Sequence, residues 1–312
     1  MSKIFITGIN GFVGKHLLEQ YKEDKIIGLV KDGTGEGFGK NVDIVRGDIL
    51  DSAKIEEIIV DKKPDIIFHL AALTSPSESL KNPFETINNN IDGQLNILEA
   101  IRKNELFNTR LLVVSSAEIY GSVDDKYLPI SEDTPLMPTT PYAVSKITQD
   151  FLGYQYYKAY GIKSVRVRPF NHIGPGQAPV FVVSAFAKQI AMIERGQQDK
   201  IIKVGNLAPR KDFTDVRDVV KAYKLLMEKG EFGEVYNIGS GVSYAISEIL
   251  EMLLSFSNEK IEVQADESLM RKSEQKELRC DFSKIKNDVG WEPSISIEKS
   301  LRDALDYWRN IL

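Results

Sequence analysis

The stretch TGINGFVGKHLL, Thr7 to Leu18, joins an apolar, β-branched run, KIFITG, to an amphipathic one, HLLEQYKE. Gly8, Gly11 and Gly14 stand at the join. Glycine at such points permits a tight turn and lets backbone amides at a helix N-terminus come close to a pyrophosphate. Glycines alone are common in strand-to-helix turns, but a strand before and a helix after are the context that a dinucleotide-binding turn requires.

Outward from that turn, the first half of the chain keeps alternating. KIIGLV, VDIVRGD, DIIFHLAA, RLLVVSS and KSVRVRPF have strand character, whereas SAKIEEIIVDK, NNNIDGQLNILEAIRK and YAVSKITQDFLGYQYYKAY have helical periodicity. This predicts an α/β fold, a doubly wound parallel sheet covered on both faces. After Pro169 the alternation breaks down into a helix VVSAFAKQIAMIERG, a strand KIIKVGN, a segment PRKDFTDVRDVVKAYKLLMEKG, a strand EVYNIGS and a helix SEILEMLLSFS. The break predicts a cofactor domain over residues 1–170, joined by part of 210–240, and a smaller α/β substrate region over 171–312. DGTGEGFGK, Asp32 to Lys40, lacks the Lys-Ser/Thr ending of a phosphate-binding loop and precedes no helix, so it reads as a plain loop.

Composition excludes several classes. With 40 Lys+Arg against 45 Asp+Glu and a net charge of -5, no basic field exists to hold nucleic acid or an anionic membrane. No run approaches a membrane span, and MSKIFITG enters a strand pattern without a leader pattern, which predicts a cytoplasmic protein. His16, His69 and His172 are scattered and Cys280 is the single cysteine. No metal site is expected from them, and a reducing compartment fits.

Two further stretches carry chemistry. PYAVSK puts Tyr142 and Lys146 four apart, on one face of a helix. A free tyrosine has a pKa of about 10, too high for easy proton exchange at neutral pH, and a neighbouring ammonium is expected to lower it. SSAEIYG, Ser115 to Gly121, contains Glu118, which is either a working base or a polar loop residue. A base there would let an enzyme take a proton from carbon; otherwise the enzyme only moves hydride.

The GxxGxxG spacing, the YxxxK pair, the SSAEIYG strand end and RPFNHIGPGQ, Arg168 to Gln177, together resemble the extended short-chain dehydrogenase/reductases, from Lys3 to about Trp308. FNHIGPGQ, followed by FAKQI and VGNL, is most similar to GDP-6-deoxy-4-keto-D-mannose reductases and next to GDP-mannose 4,6-dehydratases. The resemblance implies a Rossmann cofactor site for NADP or NAD built from Gly8, Gly11, Phe12, Val13 and Gly14. In it Asp48 and Ile49 lie at the adenine, Leu70, Ala71 and Ala72 beside the pyrophosphate and ribose, and Asn90 and Pro169 complete the set. At the end of the second strand, Lys31 suits a 2'-phosphate and Asp32 a 2'-hydroxyl, so the choice between NADP and NAD stays open.

By the same resemblance Ser116 hydrogen-bonds the reacting oxygen, Tyr142 exchanges its proton, and Lys146 tunes Tyr142 and holds the nicotinamide ribose. The implied substrate contacts are Asn171, Lys188, Arg210, Lys211 in the family's arginine slot, and Arg271, which Lys272 follows where the family has proline. Glu118 occupies the place of a dehydratase base, while Ala117 has no proton to give a leaving hydroxyl; in a reductase Glu118 orients the sugar. The expectation is NADPH- or NADH-dependent reduction of the 4-keto group of a GDP-6-deoxyhexose, to GDP-D-rhamnose or its C4 epimer. Alternatives are a GDP-mannose 4,6-dehydratase, a 4-epimerase or a non-catalytic sensor of the same ligands. The helices Asn90–Lys103 and Tyr142–Tyr160 are expected to pair across a homodimer.

Overall fold

The structure, a computed structural model, describes residues 1–32, 37–270 and 276–312. β1 (Lys3–Thr7) leads through the glycine turn into α1 (Phe12–Leu18), followed by β2 (Lys25–Val30), β3 (Val42–Arg46), α2 (Ser52–Lys62) and β4 (Ile66–His69). α3 (Pro76–Lys81), α4 (Pro83–Lys103), β5 (Arg110–Val114), α5 (Pro141–Tyr160) and β6 (Lys163–Pro169) complete the regular alternation. Then come β7 (Asn171–Ile173), α6 (Val182–Glu194), β8 (Ile201–Val204), β9 (Arg210–Asp215), α7 (Val216–Lys229) and β10 (Val235–Ile238). β11 (Ser243–Ala245), α8 (Ile246–Ser255), β12 (Glu262–Ala265), β13 (Glu277–Leu278), α9 (Ser283–Val289) and α10 (Ile297–Ile311) end the chain.

Seven strands form one parallel sheet in the order β10-β6-β5-β4-β1-β2-β3. β4, IIFH, is buried at every position, as a strand covered on both faces must be, so it reads as an unbroken apolar run. On one face Ile55, Ile58 and Ile59 of α2 and Ile97, Leu98 and Ile101 of α4 pack against Phe5, Ile67 and Leu111. On the other, Leu17 of α1, Val219, Val220 and Tyr223 of α7, and Ile285 and Val289 of α9 pack against Ile4, Ile6 and Phe68.

A second core joins Phe186 and Ile190 of α6, Ile249 and Leu253 of α8, and Leu301, Leu305 and Trp308 of α10. It carries a small sheet, β11-β9-β13 with β7 on β9. The segment PRKDFTDVRD connects the two cores through three aspartates. Asp212, fully buried, accepts from Ser240 N, Ser240 Oγ, Gly241 N and Cys280 N. Asp215 caps α7 and accepts from Ser300 Oγ on α10 at 2.6 Å. Asp218 accepts from Ser294 N, Ser294 Oγ and Ile295 N, each at 2.8 Å.

One local expectation is revised. The first helix begins at Phe12, directly after Gly11, and ends at Leu18, so HLLEQYKE is helical only in its first residues. The PRKDFTDV segment is a strand that passes into α7 without a loop, because the Asp215 side chain accepts the otherwise orphaned Arg217 N–H.

The helix carrying Tyr142 and Lys146 is tied to the sheet by charge. Asp150 of α5 is fully buried and accepts from Arg166 Nη1 and from Arg168 Nε on β6. Arg168 Nη1 also donates to Tyr120 Oη at 2.9 Å and to the Glu132 carbonyl at 3.0 Å. Removing one member of such a cluster leaves the others buried without compensation. Asp150→Ala should therefore cost about 3–5 kcal/mol in urea unfolding, and Asp150→Asn, which keeps an acceptor but not the charge, should cost nearly as much; a much smaller loss in Asp150→Asn would show that the carboxylate charge is not what matters.

Candidate active site

The glycine turn is packed too closely for side chains. A Cβ on Gly8, whose φ is +70°, would lie 3.0 Å from Ala71 N and 3.2 Å from the Leu70 carbonyl carbon. One on Gly14 would lie 2.6 Å from both the Gly8 and Ile9 oxygens. Thr7 Oγ1 accepts from Leu70 N and Ala71 N, both at 3.1 Å, which holds the ends of β1 and β4 together. The Phe12 ring stacks on His172 at 6.0 Å between centroids and meets His16 edge-on, so the turn touches the RPFNHIGPGQ loop. Val13 packs at the edge of the first core.

At the end of β2, Lys31 Nζ pairs with Asp48 Oδ2 at 2.8 Å and holds that carboxyl below the usual range, while Asp32 is exposed beside it. Ile49 is buried under Gly93 of α4, and its carbonyl accepts from Asn96 Nδ2. The Asn90 amide is used internally: Oδ1 accepts from Leu73 N, and Nδ2 donates to Leu73 O and Ser145 Oγ. Ala72 follows Ala71 in the half-buried loop after β4, and Pro169 closes β6.

β5 runs into Ser115 and Ser116, and Ser116 caps a short 3-10 helix, Ala117–Tyr120, by accepting from Glu118 N at 3.2 Å. α5 starts at a Thr140 cap with Pro141 in its first turn, which places Tyr142 and Lys146 on successive turns of its buried face. Ser116, Tyr142, Lys146 and Glu118 come together here. Ser116 hydrogen-bonds the Tyr142 phenol, the Glu118 carboxylate lies within electrostatic reach of it, and Lys146 Nζ is 5.9 Å from its ring centroid.

The electrostatics run against the simple expectation for a tyrosine–lysine pair. Burial, joined by the field of Glu118, outweighs the Ser116 hydrogen bond and pushes Tyr142 up to about 12. Burial likewise pushes Lys146 down to about 7, so the ammonium is itself costly to keep. At neutral pH the phenol holds its proton. Lys146 Nζ donates to Val114 O at 2.9 Å and to Gln149 Oε1 at 2.8 Å, both neutral acceptors.

A buried polar chain extends from this lysine to the glycine turn through residues that motif reading does not single out. Gln149 Nε2 donates to Asn90 O at 2.8 Å and lies 3.4 Å from His69 Nε2, and His69 Nδ1 is 2.9 Å from Thr7 Oγ1. Desolvation pushes His69 down to about 3, so it is neutral. The only sequence signal was their type: Thr7, His69 and Gln149 are polar at positions that the strand and helix patterns bury.

The residues expected to hold substrate engage separate partners. Asn171 opens β7 and is half-buried. Arg210 donates to Ser243 O at 2.7 Å and pairs with Glu248 at 3.1 Å, Lys211 follows it on β9, and Lys188 Nζ lies 5.3 Å over the Trp308 ring. Arg271 lies outside the described residues.

Because the folded pKa of Lys146 is depressed to about 7 from 10.5, both folded and unfolded chains carry its charge below pH 7, and the burial cost is then complete. Between those values the unfolded chain binds more protons, so this contribution favours folding increasingly as pH rises. Lys146→Met should accordingly be more stable than the parent at pH 6, by on the order of a few kcal/mol, with the difference closing towards pH 10. Thermal unfolding across that range reads this, and a pH-independent difference would contradict it.

Comparison with known proteins adds the family. The family model for GDP-mannose 4,6 dehydratase matches residues 5–304. A GDP-6-deoxy-D-mannose reductase of Pseudomonas aeruginosa is 35% identical over 308 residues, covering 99% of this chain and 97% of that protein. The solved structure of RMD from Pseudomonas aeruginosa complexed with NADPH superposes with a TM-score of 0.88 at 34% identity, covering 100% of both chains. A UDP-glucose 4-epimerase of Thermus thermophilus in complex with NAD gives 0.89 at 26% identity, covering 99% of this chain and 100% of that one. With the glycine turn, the YxxxK pair and the seven-stranded sheet in place, the chain belongs to the GDP-mannose 4,6 dehydratase family of extended short-chain dehydrogenase/reductases.

Proposed function

We propose that the protein is a nicotinamide-dependent reductase that converts the 4-keto group of GDP-4-keto-6-deoxy-D-mannose to the alcohol, giving GDP-D-rhamnose or its C4 epimer. The observation that carries this reading is the grouping of Ser116, Tyr142 and Lys146 beside the glycine turn's sheet, in a chain 35% identical to a GDP-6-deoxy-D-mannose reductase. A phenol that holds its proton suits a step in which oxygen must gain one.

The turn fits a dinucleotide, since side chains at Gly8 or Gly14 would meet backbone where the chain must approach the ligand. Bound there, NADPH or NADH supplies hydride to the carbonyl carbon. Ser116 Oγ and the Tyr142 phenol hold the carbonyl oxygen, and Tyr142 delivers the proton. Lys146 stabilises the phenolate left behind and holds the ribose. Lys31, Asp32, Asp48 and the Leu70–Ala72 loop border the adenosine and pyrophosphate side, while Asn171, Lys188, Arg210, Lys211 and Arg271 serve the sugar nucleotide. Glu118 orients the sugar.

A second reading, GDP-mannose 4,6-dehydration, is favoured by the carboxylate of Glu118 close to Tyr142 and opposed by Ala117, which has no proton for the departing hydroxyl. A cytoplasmic setting fits the single, buried Cys280, and no helix among the described residues is long and apolar enough to cross a membrane. The outward face of α5, with Val144, Phe151 and Tyr154 exposed, together with Phe84 of α4, suits pairing of two copies.

Absorbance of the reduced nicotinamide decides the chemistry: a reductase consumes one NADPH or NADH per keto sugar, whereas a dehydratase or epimerase consumes none. Tyr142→Phe should lower kcat by about 10²–10⁴-fold with cofactor affinity nearly unchanged, and full activity would overturn its role. Glu118→Gln should retain turnover of the keto sugar; complete loss, with loss of GDP-mannose conversion, would favour dehydration. Phe151→Glu should shift a dimer to monomer in light scattering, and an unchanged mass would remove this face as the interface.

A further inference from the structure

The Lys146 ammonium has three N–H groups, and two are taken by neutral oxygens, Val114 O and Gln149 Oε1. Val114 O is backbone and fixed by the sheet. Gln149 is a side chain, fully buried one turn beyond Lys146, and its amide can face only one way. Turned over, it would set Nε2 against the ammonium and Oε1 against the Asn90 carbonyl, two like pairs in place of two hydrogen bonds of 2.8 Å.

The titratable groups around Lys146 are few. Tyr142 lies one turn earlier on α5, His69 comes from β4, Glu118 from the 3-10 helix, and Tyr223 of α7 feels the charge of Tyr142; Asp150 is taken by Arg166 and Arg168. Burial is the force acting on the lysine, and His69, held neutral by its own burial, does not repel it. A single amide oxygen thus does what a carboxylate would otherwise do. It steadies the ammonium without supplying a charge that would lock the proton in place, and it leaves the third N–H outside these two bonds.

We propose that Gln149 is a positioning residue for this reaction: its Oε1 sets both the aim of Lys146 Nζ and the pH at which Lys146 gives up its proton. The inference rests on the proposed catalytic role of Lys146, and its consequence for protonation can be read without turnover.

The experiment compares Gln149→Met, Gln149→Glu and, as a control, Gln94→Met. Gln94 is an equally buried amide that donates to the Gln149 carbonyl and makes no hydrogen bond to Lys146. In the holoenzyme, the alkaline fall of kcat with pH should move down by about one pH unit in Gln149→Met and up in Gln149→Glu, and should stay in place in Gln94→Met. The same displacement should appear in the pH at which the stability difference between Lys146 and Lys146→Met begins to shrink, which the folded-state pKa of Lys146 sets, measured by thermal unfolding in each background. An unmoved onset in Gln149→Met, or an equal movement in Gln94→Met, overturns the proposal. A moved onset in a protein that does not reduce the keto sugar would instead overturn the functional reading and leave the Gln149–Lys146 coupling standing.

Discussion

One carboxylate, Asp150, sits between two arginines of the neighbouring strand, and the active site depends on it. Asp150 belongs to the helix that carries Tyr142 and Lys146, Arg166 and Arg168 to the strand that ends at Pro169, and Arg168 reaches on to Tyr120, two residues past Glu118. Tyr120 in turn donates to Asn237 of the sheet's edge strand, whose backbone N–H donates to Glu132. Three loops that would otherwise move separately are thereby referred to one buried charge. Groups that must sit within a fraction of an ångström of a reacting oxygen need such a frame, because loops set their positions poorly on their own.

The site itself is built on the opposite principle. Where Asp150 is neutralised by full charges, Lys146 is buried with only neutral acceptors, and Tyr142 is buried beside a carboxylate. Both groups are held in environments that oppose their ionised forms. That is costly for stability and useful for chemistry: Tyr142 keeps a proton, while Lys146, pushed down to about 7, can exchange one near neutral pH.

Much of this was legible in the sequence. Parallel strands buried on both faces leave continuous apolar runs, and the glycine turn and the Tyr142–Lys146 pair are fixed by local geometry, so their spacing survives in the linear text. The small sheet was not legible, because β7, β11 and β13 are two or three residues long and have no periodicity to read. Nor was the chain from Thr7 through His69 and Gln149 to Lys146, whose members lie 62, 80 and 3 residues apart along it. Cations such as Lys188 and Arg210 were named from motif position, yet their side chains answer to local partners, Trp308 in one case and Glu248 in the other. A slot in a motif fixes the backbone position and not the contact.

The large sheet ends at β10, and the core on one of its faces is completed by Tyr236, Ile238, Ile285, Val289 and Trp291. These come late in the chain, after the whole of α6 to α8 or between them. During synthesis, therefore, the glycine turn, the helix carrying Tyr142 and Lys146 and six strands leave the ribosome well before the residues that cover them. The nascent chain must keep an apolar sheet face and an unpaired edge at β6 exposed until nearly all of it has emerged. A chaperone that shields hydrophobic surface on growing chains has its clearest task here in that interval.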